Sequence, residues 1–252
     1  MKLALLAEYD GTEFSGWQVQ PNQRTVQGEI ETAVQRLTGQ IVTVIGSGRT
    51  DAGVHAKAMV AHTEVDLNDS LPLWKVIEAL NALTGEDIVI KDVREVSSDF
   101  HSRFSAHERT YRYQISRSRI ALERNYFWQV PYELDIEAMQ HTFAALLGEH
   151  DFTSFSKLSD DVDHYRCIIT NTEMIESEET ITMWLSANRF VRGMVRALVG
   201  GIVEVGRGRL GQDEYARLLN DPQELDRARF ICPAQGLTFW KVIYPEKFGL
   251  WN

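Results

Sequence analysis

Cysteine is nearly absent from this chain, with two residues, Cys167 and Cys232, among 252. They are far apart and in neither CxxC nor CxxH spacing, which excludes a disulfide framework and suggests no zinc site. A reducing, cytoplasmic setting is therefore expected. No apolar run approaches the roughly 20 residues that span a bilayer. The opening Leu3-Ala4-Leu5-Leu6-Ala7 resembles a short signal core but is interrupted by Glu8 and Asp10, so it reads as a buried strand and no membrane partner is expected. Positive charge is scarce too: 26 basic against 36 acidic side chains leave −10 at neutral pH, a total that by itself disfavours a polyanionic partner. At 44% hydrophobic and 25% charged, the composition is that of an ordinary globular protein, and disorder is excluded.

The total hides a local pattern. A phosphate backbone responds to charge within about a Debye length, roughly 8 to 10 Å, so clustering matters more than the sum. Residues 101–119 hold Arg103, Arg109, Arg112, Arg117 and Arg119 against Glu108 alone, a net +4. Residues 189–209 hold Arg189, Arg192, Arg196, Arg207 and Arg209 against Glu204 alone, again +4. The acidic surplus lies elsewhere, at Asp160, Asp161 and Asp163 and between Glu173 and Glu179. Either cluster alone reads equally well as a solvated face. Two clusters rich in arginine and free of lysine favour planar, bidentate contacts to phosphate or base edges.

Periodicity supplies the elements. Lys2 to Tyr9 reads as a strand; Thr25 caps a helix with apolar Val26, Ile30, Val34 and Leu37, stopped by Gly39. Ile41 to Ile45 is β-branched and strand-like, and Lys57 to Val65 is a further strand after a glycine-rich turn. Ser70 and Pro72 open a helix carrying Leu73, Ile77 and Leu80, and Ile88 to Val96 alternates as a strand. The order β-α-β-β-α-β is that of a ferredoxin-like unit. The second half repeats the plan at larger scale: a strand near Thr110 to Ser116, a helix from Asp135 to Leu147 closed by Gly148, and strands Cys167 to Ile175 and Thr180 to Ala187. A helix from Val191 to Val205 ended by Gly206, a shorter one near Asp213 to Leu219, and a last strand Leu237 to Tyr244 complete it. The expected fold is α+β, with two ferredoxin-like halves, residues 1–100 and 101–252, side by side in a mixed, largely antiparallel sheet with helices on one face.

The segment Gly46-Ser47-Gly48-Arg49-Thr50-Asp51-Ala52-Gly53-Val54-His55-Ala56 joins two strands and carries more glycine than a hairpin needs. Glycines allow tight bends and close approach to a ligand. No Gly-Lys-Ser/Thr follows, so it is not a Walker phosphate loop, and it is not a dinucleotide fingerprint. A carboxylate two residues from an arginine would stay ionised and available as a nucleophile. On the spacing alone, an Asx-turn with a surface ion pair is the more economical reading.

The segment Gly48-Arg49-Thr50-Asp51-Ala52-Gly53-Val54-His55-Ala56 resembles the catalytic motif of the TruA-type tRNA pseudouridine synthases. So do, in order, Tyr9-Asp10-Gly11-Thr12 with Phe14-Ser15-Gly16-Trp17-Gln18, Gln20-Pro21-Asn22, and Thr25-Val26-Gln27. Phe100 to Ala106 with Arg109-Thr110-Tyr111-Arg112-Tyr113, then Met194-Val195-Arg196, Val205-Gly206-Arg207-Gly208 and Pro233-Ala234-Gln235-Gly236-Leu237, extend the resemblance to about residue 245. Ser47, Ala187 to Phe190 and Gly200-Gly201 depart from the family pattern, and the stretch from about Leu158 to Glu179 carries no recognisable motif. The resemblance implies isomerisation of uridine to pseudouridine in the tRNA anticodon arm, at uridines 38 to 40, by a homodimer without cofactor or metal. It implies that Asp51 acts on the ribose and that Tyr111 lines the pocket, stacks on uracil and serves as the late base. Arg49 would contact RNA beside a flipped base, Arg196 would pair with Asp51, Leu237 would pack beneath the uracil, and Arg109 and Arg192 would bind substrate. Without the resemblance, Tyr111 and Leu237 read as core residues, and the spacing of Arg192 and Arg196 as a basic helical face.

The sequence argues against two other classes. A non-catalytic RNA-binding pair of ferredoxin-like modules calls for an RNP-type run of Lys/Arg-Gly-Phe-Gly-Phe-Val, which is missing. A glycoside hydrolase needs a second carboxylate beside Asp51 to activate water, and the motif offers none.

Overall fold

The apolar opening forms strand β1 (Lys2–Tyr9), burying Leu3, Ala4, Leu5, Ala7 and Tyr9. The structure, a computed structural model, describes residues 1–67, 71–159, 162–221 and 230–251. They divide into two units, Met1–Glu108 with Thr238–Asn252, and Arg109–Leu237. Among the described residues no helix is long and apolar enough to cross a membrane.

In the first unit β1 is followed by α1 (Val26–Thr38), β2 (Ile45–Gly46), β3 (His55–Glu64), α2 (Leu73–Leu83) and β4 (Ile88–Val96). The sheet runs β4-β1-β3 with β2 also beside β3, every pair antiparallel, as a ferredoxin-like unit requires. The Thr25 hydroxyl accepts from the Gly28 amide at the start of α1, and Gly39, at φ +75°, ends it. Leu3 and Leu5 of β1, Val34 and Leu37 of α1, Val76 and Leu80 of α2 and Val93 of β4 line one apolar space between helices and sheet. Burial of each such side chain contributes about 1.5–3 kcal/mol.

Ile41 to Ile45 is not a full strand. Only Ile45–Gly46 pairs with β3, and Ile41 is 89% exposed. Side chains hold the rest: the Val44 amide donates to the Glu31 carboxylate (2.9 Å), and the Thr63 hydroxyl donates to the Thr43 carbonyl (3.0 Å). A β-branched run becomes a strand only where a neighbour meets its backbone. Ser70 lies outside the described residues, and Pro72 sits at the α2 N-cap without a side-chain cap.

The second unit contains β5 (Glu108–Ser116), β6 (Trp128–Gln129), α3 (Ile136–Ala144), β7 (Gly148–Asp151), β8 (Arg166–Glu176), β9 (Thr180–Ala187), α4 (Met194–Gly206) and α5 (Gln212–Asn220). Its sheet runs β5-β9-β8-β7, antiparallel throughout, with β6 parallel beside β5. Gly148 does not close α3, which ends at Ala144 with Ala145 as its C-cap; at φ +102° Gly148 opens the unforeseen strand β7. Helix α4 begins at Met194, not Val191, because Gly193 at φ +76° breaks the helical path. Nearly every residue of α4 is buried. Its Gly200 faces the Phe230 carbonyl so closely that an added Cβ would lie 2.3 Å from that oxygen, which accounts for glycine there.

The last strand, β10 (Leu237–Ile243), pairs in parallel with β3 through Thr238 and Phe239. Residues 101–108 and those from Thr238 onward belong with the N-terminal unit through such bonds, among them His107 amide to Ile243 carbonyl (2.8 Å) and Tyr244 hydroxyl to Ser102 carbonyl (2.6 Å).

Candidate active site

The loop between β2 and β3 owes its shape to the chain's opening segment. Its Thr50 carbonyl accepts from the Trp17 amide (3.0 Å), and its Gly53 amide donates to the Phe14 carbonyl (3.3 Å). Between these two ties, Val54 donates to the Asp51 carbonyl (3.1 Å), a turn that fixes the Asp51 backbone. The buried Thr50 hydroxyl meets the Tyr9 hydroxyl at 2.8 Å, and the Tyr9 and Trp17 rings lie 6.2 Å apart beneath. At the far end the Gly11 amide donates to Nδ1 of the buried His55 (3.0 Å). Gly16 allows the approach: at φ +100°, an added Cβ would stand 2.6 Å from the Thr50 carbonyl oxygen.

That opening segment is itself clamped. The Arg24 guanidinium is paired with both carboxylate oxygens of Asp87 and with Glu29, and lies 4.3 Å over the Phe14 ring. The Arg24 carbonyl accepts from the Ser15 amide (2.9 Å), and Asp10 donates to the Asp87 carbonyl (3.0 Å). Two short segments, 9–17 and 50–55, thus hold each other by bonds on both sides of Asp51, whose side chain is half-buried while that of Arg49 is exposed. A carboxylate on so stiff a loop can meet a substrate carbon or proton with little reorganisation.

The second unit positions its own set. Tyr111 lies on β5, 8% exposed, opposite Leu185 of β9, with the Phe190 ring edge-on at 5.0 Å. Arg109 on the same strand is buried and donates from Nη1 to the Asn188 carbonyl (2.8 Å). Arg196 in the first turn of α4 donates from Nε to the Cys232 carbonyl (2.9 Å), and the Cys232 amide returns a bond to the Arg196 carbonyl (3.1 Å). The segment that leads to Leu237 is anchored to β5: Tyr113 donates to the Pro233 carbonyl (2.9 Å) and the Gln114 amide to the Gly236 carbonyl (2.9 Å). Leu237 is buried. β5, α4 and residues 232–237 therefore form one hydrogen-bonded group holding Tyr111, Arg196 and Leu237. The basic helical face is corrected: Arg189 and Arg192 precede α4, Arg192 is exposed, and Arg196 alone of the three is helical.

Burial pushes the thiols of Cys167 and Cys232 up, to about 11 and about 12, so neither is poised as a nucleophile. Burial likewise raises the Tyr113 phenol well above its ordinary value, which makes it a structural donor. The arginine clusters are only partly free for a ligand, since Arg117 is paired with Glu176 and Arg207 with Glu204. Tyr9, Phe14, Trp17 and Arg24 support the Asp51 loop, a role that spacing alone could not reveal. The available signal was the density of glycine and aromatic residues between Tyr9 and Trp17.

A family model described as tRNA pseudouridine synthase matches residues 5–105 and 143–245. Arg49, Asp51, Arg192, Arg196 and Leu237 fall inside the matched segments; Arg109 and Tyr111 fall between them. A protein named tRNA pseudouridine synthase A from Geobacillus sp. (strain WCH70) is 43% identical over 239 residues, covering 94% of this chain and 95% of its own. One of that name from Brevibacillus brevis is 42% identical over 247 residues, covering 96% and 99%. Another from Bacteroides thetaiotaomicron is 41% identical over 241 residues, covering 94% and 88%.

Proposed function

The chain belongs to the tRNA pseudouridine synthase family, and from that premise we propose that it isomerises uridine to pseudouridine in the anticodon arm of tRNA, at positions 38 to 40, with Asp51 acting on the ribose. The bond between C1′ and N1 of the uridine breaks, the uracil turns, and a bond between C1′ and C5 forms. The hydrogen on C5 leaves as a proton and N1 gains one, so nothing is oxidised and no water is added. The step needs an ionised carboxylate at the sugar and a base for the C5 proton. No metal or organic cofactor is required for this balance.

The observation that carries the reading is the pinned loop, in which the Thr50 carbonyl accepts from Trp17 and the Gly53 amide donates to Phe14, one bond on either side of Asp51. Asp51 either attacks the sugar or removes a proton from it. Tyr111 stacks on the uracil and takes the C5 proton. An ordinary phenol, with a pKa near 10, is a weak base, so arginine charge has to assist it. Arg196 pairs with Asp51, Leu237 packs beneath the uracil, Arg49 contacts RNA beside the flipped base, and Arg109 and Arg192 serve substrate binding. A base in a stem must be extruded first, at a cost of a few kcal/mol. The enzyme works as a homodimer in the cytoplasm.

The test is a tRNA transcript tritiated at uracil C5, followed by separation of the products. Release of tritium with pseudouridine in the digested tRNA supports the reading. Binding without release would make the protein an RNA-binding module, and free uracil would make it a hydrolase.

A further inference from the structure

The turn that follows β4 carries chemistry the mechanism does not use. Phe104 is 75% exposed, more than any other Phe, Tyr or Trp among the described residues. Its turn is nonetheless tightly held. The Arg103 and Phe104 amides both donate to His101 Nδ1 (3.2 and 3.3 Å), and Ser105 closes the turn onto the His101 carbonyl (2.9 Å). Below it, Ser102 is completely buried: its hydroxyl donates to the Ile45 carbonyl (2.6 Å), its amide to His62 Nδ1 (3.2 Å), and its carbonyl accepts from Tyr244 (2.6 Å).

The rings form a column. The buried His62 ring meets His101 at 4.7 Å between centroids, and His101 meets Phe104 at 4.4 Å. The column rises from the core and ends in solvent at Phe104. The exposed Arg103 guanidinium lies over that ring, 5.5 Å from its centroid, at the start of the +4 stretch 101–119, where it can swing onto a phosphate when a base takes the ring. A rigid aromatic face open to solvent, flanked by a cation, suits a base that lacks a stacking neighbour: the ring takes the π-face and the guanidinium the phosphate beside it. An apolar protein partner would have no use for the arginine.

We propose that Phe104 is a stacking platform for an unpaired base of the RNA substrate, with Arg103 as its phosphate contact and the His62–His101 column as its rigid support. This rests on the reading of tRNA as substrate. Stacking tolerates any base, so the platform adds affinity without reading sequence.

The test compares Phe104→Ala, Phe104→Leu, Phe104→Tyr and Phe104→Trp, measuring the Kd for an unmodified tRNA transcript by filter binding at fixed salt, beside initial tritium release and sedimentation of the free protein. Loss of one base stack raises Kd about 5- to 150-fold. The Ala and Leu variants are expected in that range and the Tyr and Trp variants within about 2-fold of wild type, because only the latter keep a π-face. Tritium release at saturating tRNA should be unchanged in all four. Wild-type affinity in Phe104→Leu, equal loss in Tyr and Trp, or a changed oligomeric state in Phe104→Ala overturns the proposal, the last by making the residue a contact between copies. Should wild type itself release no tritium, the substrate reading fails instead.

Discussion

Gly16→Ala isolates the link between the opening segment and the Asp51 loop. The added methyl would sit 2.6 Å from the Thr50 carbonyl oxygen and 3.2 Å from the Asp51 carbonyl carbon and the Ala52 nitrogen. All three are backbone atoms, so no rotamer change can relieve the contact; the loop must move by about 0.8 Å for that oxygen to reach ordinary contact near 3.4 Å. A positive φ of +100° at a non-glycine residue costs about 1–2 kcal/mol, and the overpacking a further ~1–3 kcal/mol. Displacement of a catalytic group by nearly 1 Å costs about 10²-fold in rate. Gly39→Ala is the control: it has the same left-handed backbone, φ +75°, with nothing within 4 Å of the added methyl. It should lose about 1–2 kcal/mol and keep full activity. Urea melts give the stabilities, and tritium release from C5-labelled tRNA gives the rates on protein shown to be folded by circular dichroism. Full wild-type turnover in Gly16→Ala, with a stability loss no larger than that of Gly39→Ala, would refute the claim that this contact sets the position of Asp51.

His62 gives a pH prediction. Burial first, then the charges of His101 and Lys2 against the smaller opposing effect of Glu64, push its pKa down to about 4. The folded protein therefore keeps the imidazole neutral where the unfolded chain binds a proton, so its stabilisation is complete above about pH 6.5 and is lost as pH falls toward 4. Between pH 7 and pH 5 this amounts to about 2 kcal/mol. His62→Asn should flatten the pH dependence of urea-melt stability by that much, and an unchanged slope contradicts the assignment. Gly200→Ala should destabilise by about 1–3 kcal/mol, since its methyl would meet the Phe230 carbonyl at 2.3 Å, despite the roughly 1 kcal/mol by which alanine favours a helix. A gain in melting temperature would show that residues 230–232 do not pack there.

Elements were legible where local chemistry decides them. Thr25 and Gly39 carry the cap and stop of α1, and the alternation in Ile88–Val96 matches β4 to the residue. Errors fell where a partner distant in sequence decides. Ile41 to Val44 has strand chemistry, but its Val44 amide donates to the Glu31 carboxylate and its Thr43 carbonyl accepts from the Thr63 hydroxyl, and helical spacing across Arg192 and Arg196 is broken by the left-handed Gly193. The site was legible unevenly for the same reason. A glycine-rich loop with a carboxylate and an arginine can be seen along the chain. That Thr50 is held by Tyr9 and Trp17, and Phe14 by Arg24, is long-range information which only the folded backbone contains. The glycine pair Gly200-Gly201, out of pattern as sequence, has a packing reason in the close passage of residues 230–232 and of Tyr215.

Asp51→Asn keeps the size and shape of the side chain while removing its charge. Measured by single-turnover tritium release from tRNA labelled at uracil C5, with tRNA binding checked in parallel, it should bind tRNA as wild type does and release nothing above background. Pseudouridine formation by Asp51→Asn at a substantial fraction of the wild-type rate would contradict the assignment of the reaction to that carboxylate.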